Sequence, residues 1–134
     1  MREYGITQGT WEYTENRDRS SKLTAFVSRL YTKAMGRAYD VNGLNDHTGN
    51  YLENRDLYQL AYNFIFSSEF IEKTLTNEEF VDVMYRTFFD READPDGRAD
   101  WLDRMANQGY TREDVLAGFV GSQECADLVA RFGI

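Results

Sequence analysis

The chain has 134 residues, the length of one ordinary domain, with 42% apolar residues, 15% aromatic residues and a net charge of −8. This apolar content excludes an intrinsically disordered chain. The acidic charge repels nucleic-acid phosphates and anionic lipids, so we expect no nucleic-acid partner. No stretch is apolar for long enough to span a bilayer, so we expect no membrane insertion. The single cysteine, Cys125, excludes an intrachain disulfide.

The first residues differ from the rest of the chain. Residues 1–21 are polar, lack a sustained hydrophobic period and contain Gly5, Gly9 and Asn16. We therefore predict an N-terminal arm or linker over 1–21 and a folded domain over 22–134. No apolar export signal follows the first methionine, so an extracellular location is expected only as part of a larger protein.

The folded part contains an internal repeat. Seven residues recur 54 positions later, and three more recur 55 positions later. Similarity at a fixed offset is typical of a duplicated structural unit, and we predict copies over about 22–75 and 76–134 that pack on each other. The recurring pairs are Phe26/Phe80, Val27/Val81, Tyr31/Tyr85, Arg37/Arg91, Asp40/Asp94, Gly43/Gly97, Asp46/Asp100, Phe64/Phe119, Ser67/Ser122 and Glu69/Glu124.

Each copy has the sequence pattern of helices. Apolar residues recur at helical spacing, and typical N-terminal signals precede them. Thr76 and Glu79 form a capping-box pattern, and Ser67 and Ser122 are predicted N-caps of the last helix in each copy. The sequence therefore predicts an all-α fold, in which two tandem copies of a four-helix unit pack as one domain.

The repeated motifs resemble those of a known family. They are Arg37-x-x-Asp40-x-x-Gly43, Phe64-Ile65-Phe66-Ser67-Ser68-Glu69-Phe70 and Arg91-x-x-Asp94-x-x-Gly97-x-x-x-Trp101. From about residue 22 to its end, the chain resembles the domain of unknown function family 4214. The resemblance implies a helical domain of large secreted or surface proteins of gut bacteria, with no known activity. A more distant similarity to phycobilisome linker polypeptides implies at most protein–protein scaffolding.

Two arginines recur together with two glutamates. Arginine binds anions in many sites, but we favour a bidentate Arg–carboxylate pair that ties a loop to the last helix of each copy. Such pairs require Arg37 to lie within salt-bridge distance of Glu69, and Arg91 within the same distance of Glu124. The predicted structural positions of the two copies are Arg37, Asp40, Gly43, Glu69, Arg91, Asp94, Gly97, Trp101 and Glu124.

An acidic segment over 92–103 follows the spacing of an EF-hand calcium loop, with Gly97 at the turn. In the alternative interpretation, which we favour, Asp94 is a helix N-cap and Pro95 occupies the first helical position. Calcium is the only cofactor that the sequence suggests. The candidate ligands are Glu92, Asp94, Asp96, Asp100 and Asp103, together with the backbone carbonyl of Arg98.

Three other groups of side chains are candidates for function. His47 and Cys125 replace aromatic residues of the other copy, which indicates packing rather than catalysis. Tyr39, Tyr51 and Tyr58 fall in or near predicted loops and are candidate surface aromatics for a protein or a glycan. The sequence has no phosphate-binding loop, nucleophile elbow or zinc-protease motif, so we predict no catalytic residues and no enzyme.

The expected function is a non-catalytic interaction or spacer module of a larger bacterial secreted or cell-surface protein. The first alternative is a calcium-stabilised module that uses the loop at 92–103. The second alternative is a carbohydrate-binding module. The sequence leaves the protein or glycan partner open.

Overall fold

The computed structural model describes residues 20–134, in which all regular secondary structure is helical. The predicted all-α fold is therefore confirmed, whereas residues 1–19 of the predicted arm lie outside the described residues. Within residues 20–134, no helix is both long enough and apolar enough to cross a bilayer. The helices are α1 (Ser21–Leu30), α2 (Val41–Asn54), α3 (Leu57–Ile65), α4 (Ser68–Ile71), α5 (Asn77–Met84), α6 (Pro95–Asn107), α7 (Arg112–Val120) and α8 (Gln123–Phe132).

The two copies have the same order of helices. Helices α1 to α4 belong to the first copy and α5 to α8 to the second, so each copy has the four predicted helices. The predicted caps are present: Ser67 accepts a hydrogen bond from the Phe70 amide, and Ser122 accepts one from the Cys125 amide. Thr76 starts α5 through the predicted capping box. These side chains satisfy amides that have no partner within the helix, which determines where each helix begins.

A π-helical turn follows the first helix of each copy. The turns span Tyr31–Met35 after α1 and Tyr85–Phe89 after α5, and they lie at equivalent positions of the repeat. Each turn ends at a residue with a left-handed backbone, Gly36 at φ 74° and Asp90 at φ 55°. Because the turn widens the helix in both copies, it is part of the repeated unit rather than a local irregularity.

Equivalent elements of the two copies contact each other. Helix α3 packs on α7, and the two π-helical turns are also in contact. Contact between equivalent elements is typical of a two-fold pairing, in which the same surface is buried on both partners. The copies share one core, whose largest fully buried side chains include Phe26, Phe64, Phe80, Phe88 and Phe119.

An arginine of α1 links the two copies beside this core. The Arg29 guanidinium donates hydrogen bonds to the carbonyl oxygens of Arg86 and Thr87, in the π-helical turn of the second copy. It also pairs with the Asp90 carboxylate at 3.1 Å. Carbonyls at the end of a helix lack backbone partners, so the guanidinium satisfies groups that the π-helical turn after α5 leaves free.

Candidate functional site

The predicted pair of Arg37 and Glu69 is present in the first copy. Nε of Arg37 lies 2.6 Å from Oε2 of Glu69, and Nη2 lies 2.7 Å from Oε1. The remaining donors of this guanidinium reach the Ala38 carbonyl and the Asp40 carboxylate, at 2.8 and 3.4 Å. The pair joins the loop after α1 to the first turn of α4, and the hydrogen bond from Arg37 lowers the pKa of Glu69.

The second copy repeats this arrangement. Nε of Arg91 lies 2.7 Å from Oε2 of Glu124, and Nη2 lies 3.1 Å from Oε1. Nη1 of Arg91 also lies 3.1 Å from the carboxylate of Asp94. Both arginines have their donors engaged within the chain, which supports the structural interpretation over anion binding.

Each arginine also packs on a buried tyrosine of its copy. The guanidinium of Arg37 lies 5.0 Å from the centre of the Tyr31 ring, and that of Arg91 lies 5.1 Å from the Tyr85 ring. Burial, with the nearby Asp40 carboxylate, raises the pKa of Tyr31 to about 12. In the sequence these tyrosines stood out only as a recurring pair, and their recurrence at the same offset as the arginines was the available signal.

A glycine completes each arrangement by allowing close approach. A Cβ atom on Gly43 would lie 2.1 Å from the Tyr31 hydroxyl, and one on Gly97 would lie 2.4 Å from the Tyr85 hydroxyl. Only glycine fits this position, because a side chain would displace the tyrosine. We call the equivalent sets the Arg–Glu motif: Tyr31, Arg37, Asp40, Gly43 and Glu69 in the first copy, and Tyr85, Arg91, Asp94, Gly97 and Glu124 in the second.

The segment 92–103 has the favoured structure, a capped helix, and not the geometry of an EF-hand loop. Asp94 is an N-cap that accepts a hydrogen bond from the Gly97 amide at 2.8 Å, Pro95 occupies the first turn, and residues 95–107 form α6. The backbone hydrogen bond from Gly97 and the pairing with Arg91 lower the pKa of Asp94. A helix spreads alternate residues around its axis, so the candidate ligands do not converge as they do in a calcium loop.

The other candidate calcium ligands have separate positions or partners. Arg98 pairs with Asp82 at 2.8 Å and Asp100 pairs with Arg104 at 2.8 Å. Asp103 accepts hydrogen bonds from the side chains of Asn107 and Gln108. Glu92 and Asp96 are exposed, and residues 20–134 contain no cluster of three or more candidate metal ligands.

The three candidate surface tyrosines have different environments. Tyr39 is 42% exposed, as predicted. The prediction for Tyr51 is wrong, since this residue lies on α2 and is only 8% exposed. Tyr58 is half-buried on α3 and is close to a second tyrosine, Tyr62, which is 36% exposed.

Tyr58 is one member of an aromatic row along α3. The ring centres of Tyr58 and Tyr62 are 6.0 Å apart, and those of Tyr62 and Phe66 are 4.6 Å apart. Tyr58 and Tyr62 lie one turn apart on one face of α3, and Phe66 follows as the residue that caps the end of the helix. We call Tyr58, Tyr62 and Phe66 the aromatic stripe.

The aromatic stripe continues into an apolar groove of about 300 Å³. Phe66, Ile71 and Leu75 of the first copy line it, together with Phe80 and Glu113 of the second. Ile71 is 58% exposed, the largest exposed fraction among the large hydrophobic residues of the described part. The apolar groove therefore lies where the two copies meet, and it opens beside an exposed aliphatic side chain.

Arg112 closes one side of the apolar groove. Its guanidinium donates hydrogen bonds to the Leu75 carbonyl at 2.7 Å and the Asn77 side chain at 3.0 Å, and it lies 4.8 Å from the Phe80 ring centre. These contacts hold the link between α4 and α5 against α7. The wall of the apolar groove is thus positioned by hydrogen bonds as well as by packing.

Two segments of the chain match the family described as Domain of unknown function (DUF4214): residues 11–71 and residues 61–129. The chain belongs to this family. The two matches agree with the duplication seen in the two Arg–Glu motifs. Comparison with curated proteins gives no match, and comparison with solved structures gives none either.

The aromatic stripe of this DUF4214 domain occurs in only one copy. The equivalent positions on α7 hold Glu113, Ala117 and Gly121, and the position equivalent to Ile71 holds Ala126. Helix α7 nevertheless has the same length and start as α3. The fold of the repeated unit therefore does not require the aromatic stripe.

The two residues that depart from the repeat pack as predicted. The His47 ring lies 4.2 Å from the Phe64 ring, and burial lowers its pKa. Cys125 is completely buried, and burial raises the pKa of its thiol to about 11. A thiol with such a pKa is protonated at neutral pH, and thiols in this state are poor nucleophiles.

Proposed function

We propose that this DUF4214 domain is a non-catalytic interaction module of a larger secreted or cell-surface protein, and that it binds its partner through the aromatic stripe and the apolar groove. The observation that carries the proposal is the presence of the aromatic stripe in one copy only. The two copies have the same fold but differ in the solvent-accessible residues of their third helix.

Physical chemistry supports a binding role for this surface. Exposed apolar area costs about 25 cal/mol per Å² relative to burial, so a row of partly exposed rings beside an exposed isoleucine is unfavourable for an isolated domain. Contiguous apolar patches on soluble proteins mark interaction sites, and aromatic residues are enriched in the cores of protein interfaces. Helix α7 avoids this cost with Glu113, Ala117 and Gly121.

The environments of the reactive side chains support a non-catalytic role. Nucleophilic catalysis requires a nucleophile within hydrogen-bond distance of a base. Cys125 is buried, which raises the pKa of its thiol, and the His47 ring packs on Phe64. The carboxylates of Asp40, Glu69 and Asp94 have lowered pKa values because they accept hydrogen bonds from amides or arginines.

The experiment compares peptides and glycans as ligands of the same protein. Immobilised domain is panned against phage-displayed random dodecapeptides and, in parallel, placed on a glycan array. The test variant is Tyr58→Ala/Tyr62→Ala, and the matched control is Tyr39→Ala, which removes an exposed tyrosine outside the aromatic stripe. We expect peptides to be enriched by the wild type and the control but not by the double variant.

Two other results would replace this proposal. Glycan binding that disappears in the double variant would favour the carbohydrate-binding alternative. Absence of any ligand that depends on Tyr58 or Tyr62 would favour a spacer. Thermal melts of all three proteins establish that a lost signal is not caused by unfolding.

A further inference from the structure

Aromatic rings in this domain are commonly covered by a guanidinium. Arginine lies between 4.7 and 5.1 Å from the ring centre in four such pairs. Within residues 20–134, no arginine lies over Tyr58 or Tyr62. A cation placed over the face of an aromatic ring is attracted to it, so the aromatic stripe has unused capacity to bind a cation. The four pairs are Arg37 with Tyr31, Arg91 with Tyr85, Arg104 with Trp101 and Arg112 with Phe80.

A carboxylate without an ion pair lies at the same surface. Glu113 is exposed, lines the apolar groove and makes no ion pair within the described part of the chain. It also lies close enough to Tyr58 to contribute to the raised pKa of that phenol, of which burial is the main cause. The adjacent Asp114, by contrast, accepts a hydrogen bond from the Thr111 amide as part of a helix cap.

The size and lining of the apolar groove restrict what can fill it. Its volume of about 300 Å³ is at the lower end of ligand pockets, which range over about 300–1,000 Å³. Phe66, Ile71, Leu75 and Phe80 make its walls apolar, and Nη2 of Arg112 is already directed to the Leu75 carbonyl and the Asn77 side chain. The apolar groove therefore suits one or two apolar side chains.

We infer that the surface recognises a peptide segment of a protein partner in which an arginine adjoins an apolar anchor. The anchor fills the apolar groove, and the guanidinium pairs with Glu113 and packs on the ring of Tyr58 or Tyr62. This inference rests on the proposed function, because it names the chemistry of the ligand for the same surface.

Charge and polarity disfavour the other occupants. A second copy of this chain would bring two Glu113 carboxylates and two net charges of −8 together, and anionic ligands would meet the same repulsion. A sugar requires several convergent hydrogen-bonding groups. Within the described residues, Arg112 and Glu113 are the only charged side chains that line the apolar groove, and Nη2 of Arg112 already donates to the Leu75 carbonyl.

The test uses individual peptides from the phage selection, synthesised with a fluorescein label and titrated by fluorescence anisotropy. We expect enriched peptides to contain arginine beside leucine, isoleucine or an aromatic residue. Glu113→Gln should weaken binding roughly three- to five-fold, as expected for one exposed ion pair. Tyr58→Ala/Tyr62→Ala should weaken it by more than about ten-fold, as expected for central aromatic contacts.

Two matched controls isolate the charge. Asp96→Asn removes one exposed carboxylate at the start of α6, outside the apolar groove, and should leave affinity unchanged. Replacing the peptide's arginine by glutamine should weaken binding to the wild type but have no further effect on the Glu113→Gln variant. Equal effects of the peptide change on both proteins would mean that Glu113 is not the partner of the arginine.

The possible failures are distinguishable. Peptides that depend on Tyr58 and Tyr62 but lack a cation, or that bind Glu113→Gln as tightly as the wild type, would overturn this inference and leave the proposed function in place. Absence of any peptide that depends on the two tyrosines would overturn both. A glycan that depends on them would overturn both in favour of carbohydrate recognition.

Discussion

The two copies keep the same backbone arrangement and the same Arg–Glu motif but differ on the outer face of their third helix. Both have the π-helical turn, the Arg–Glu motif and helices that begin at equivalent positions. On the outer face of the third helix, however, aromatic residues of the first copy are replaced by Glu113, Ala117 and Gly121 in the second. Because the common features maintain the fold, the surface that differs is free to acquire a separate role.

A second difference lies in the core and shows compensation. Trp101 stacks on Phe119 with ring centres 4.9 Å apart, and a Cβ atom on Gly118 would lie 2.4 Å from the Trp101 ring. The first copy has His47 in place of the tryptophan and Asn63 in place of the glycine. The smaller His47 ring thus occurs together with the larger Asn63, and the larger Trp101 ring with Gly118, as close packing requires.

The largest expected loss of stability comes from removing the phenylalanine ring on which His47 packs in the first copy and Trp101 packs in the second. Phe64→Ala and Phe119→Ala should each destabilise the domain by about 3–5 kcal/mol through loss of buried contacts and formation of a cavity. We expect Phe119→Ala to cost more, since Phe119 contacts Tyr85, Phe89 and Trp101. Urea unfolding measures both values, and a smaller cost for Phe119→Ala would show that the aromatic cluster of the second copy can rearrange around a cavity.

The next largest effect should come from exchanging the residue pair Trp101 and Gly118 of the second copy for the pair of the first copy, His47 and Asn63. Gly118→Asn should cost about 1–3 kcal/mol, because the new side chain overlaps the Trp101 ring. Adding Trp101→His, which recreates the pair of the first copy, should recover most of that loss. Equilibrium unfolding of both single variants and the double variant gives the coupling energy. If the two changes are simply additive, the overlap is not the cause of the destabilisation.

The shared architecture was largely predictable because local chemistry determines it. Helix starts follow from side chains such as Ser67, Ser122 and Thr76, which satisfy free amides wherever the fold places them. The Arg–Glu pairs followed from coincident recurrence at nearly the same offset. The π-helical turns were not predicted, since they arise from backbone widening and have no distinctive residue pattern.

The binding surface was only partly predictable because α3 is apolar on more than one face. Tyr58 was expected at the surface, but Tyr62 and Phe66 were missed among the periodic residues of the same helix. Tyr51 was assigned to the surface because the Asn- and Gly-rich sequence around it obscured α2. The apolar groove depends on how the copies meet, which local sequence does not specify. In the acidic segment, carboxylate spacing alone did not distinguish a calcium loop from a capped helix beginning at Pro95.

A smaller effect concerns residues that end helices. Arg55 closes α2 at φ 55°, and the equivalent residue of the second copy is Gly109 at φ 73°. A left-handed backbone is unfavourable for residues with a Cβ atom, so Arg55→Gly should stabilise the domain by about 1 kcal/mol and Gly109→Ala should destabilise it similarly. No other group lies within 4 Å of a Cβ atom on Gly109, so the effect reports the backbone alone. Thermal melts showing the same sign for both changes would contradict this explanation.

The smallest effect is a pH dependence that only the first copy should have. Burial lowers the folded-state pKa of His47 below its ordinary value of 6.5, despite the nearby carboxylates of Asp46 and Asp40. The unfolded chain therefore binds more protons between these two pKa values, so stability must fall as pH decreases through that interval and level off below it. His47→Phe should remove this component while retaining an aromatic ring against Phe64. Urea midpoints measured between about pH 7.5 and 5.5 separate the contribution of His47 from that of the carboxylates, which titrate at more acidic pH because their pKa values are lowered. Trp101, the equivalent residue of the second copy, does not titrate. An unchanged pH dependence of stability in His47→Phe would therefore mean that a group other than His47 takes up the proton.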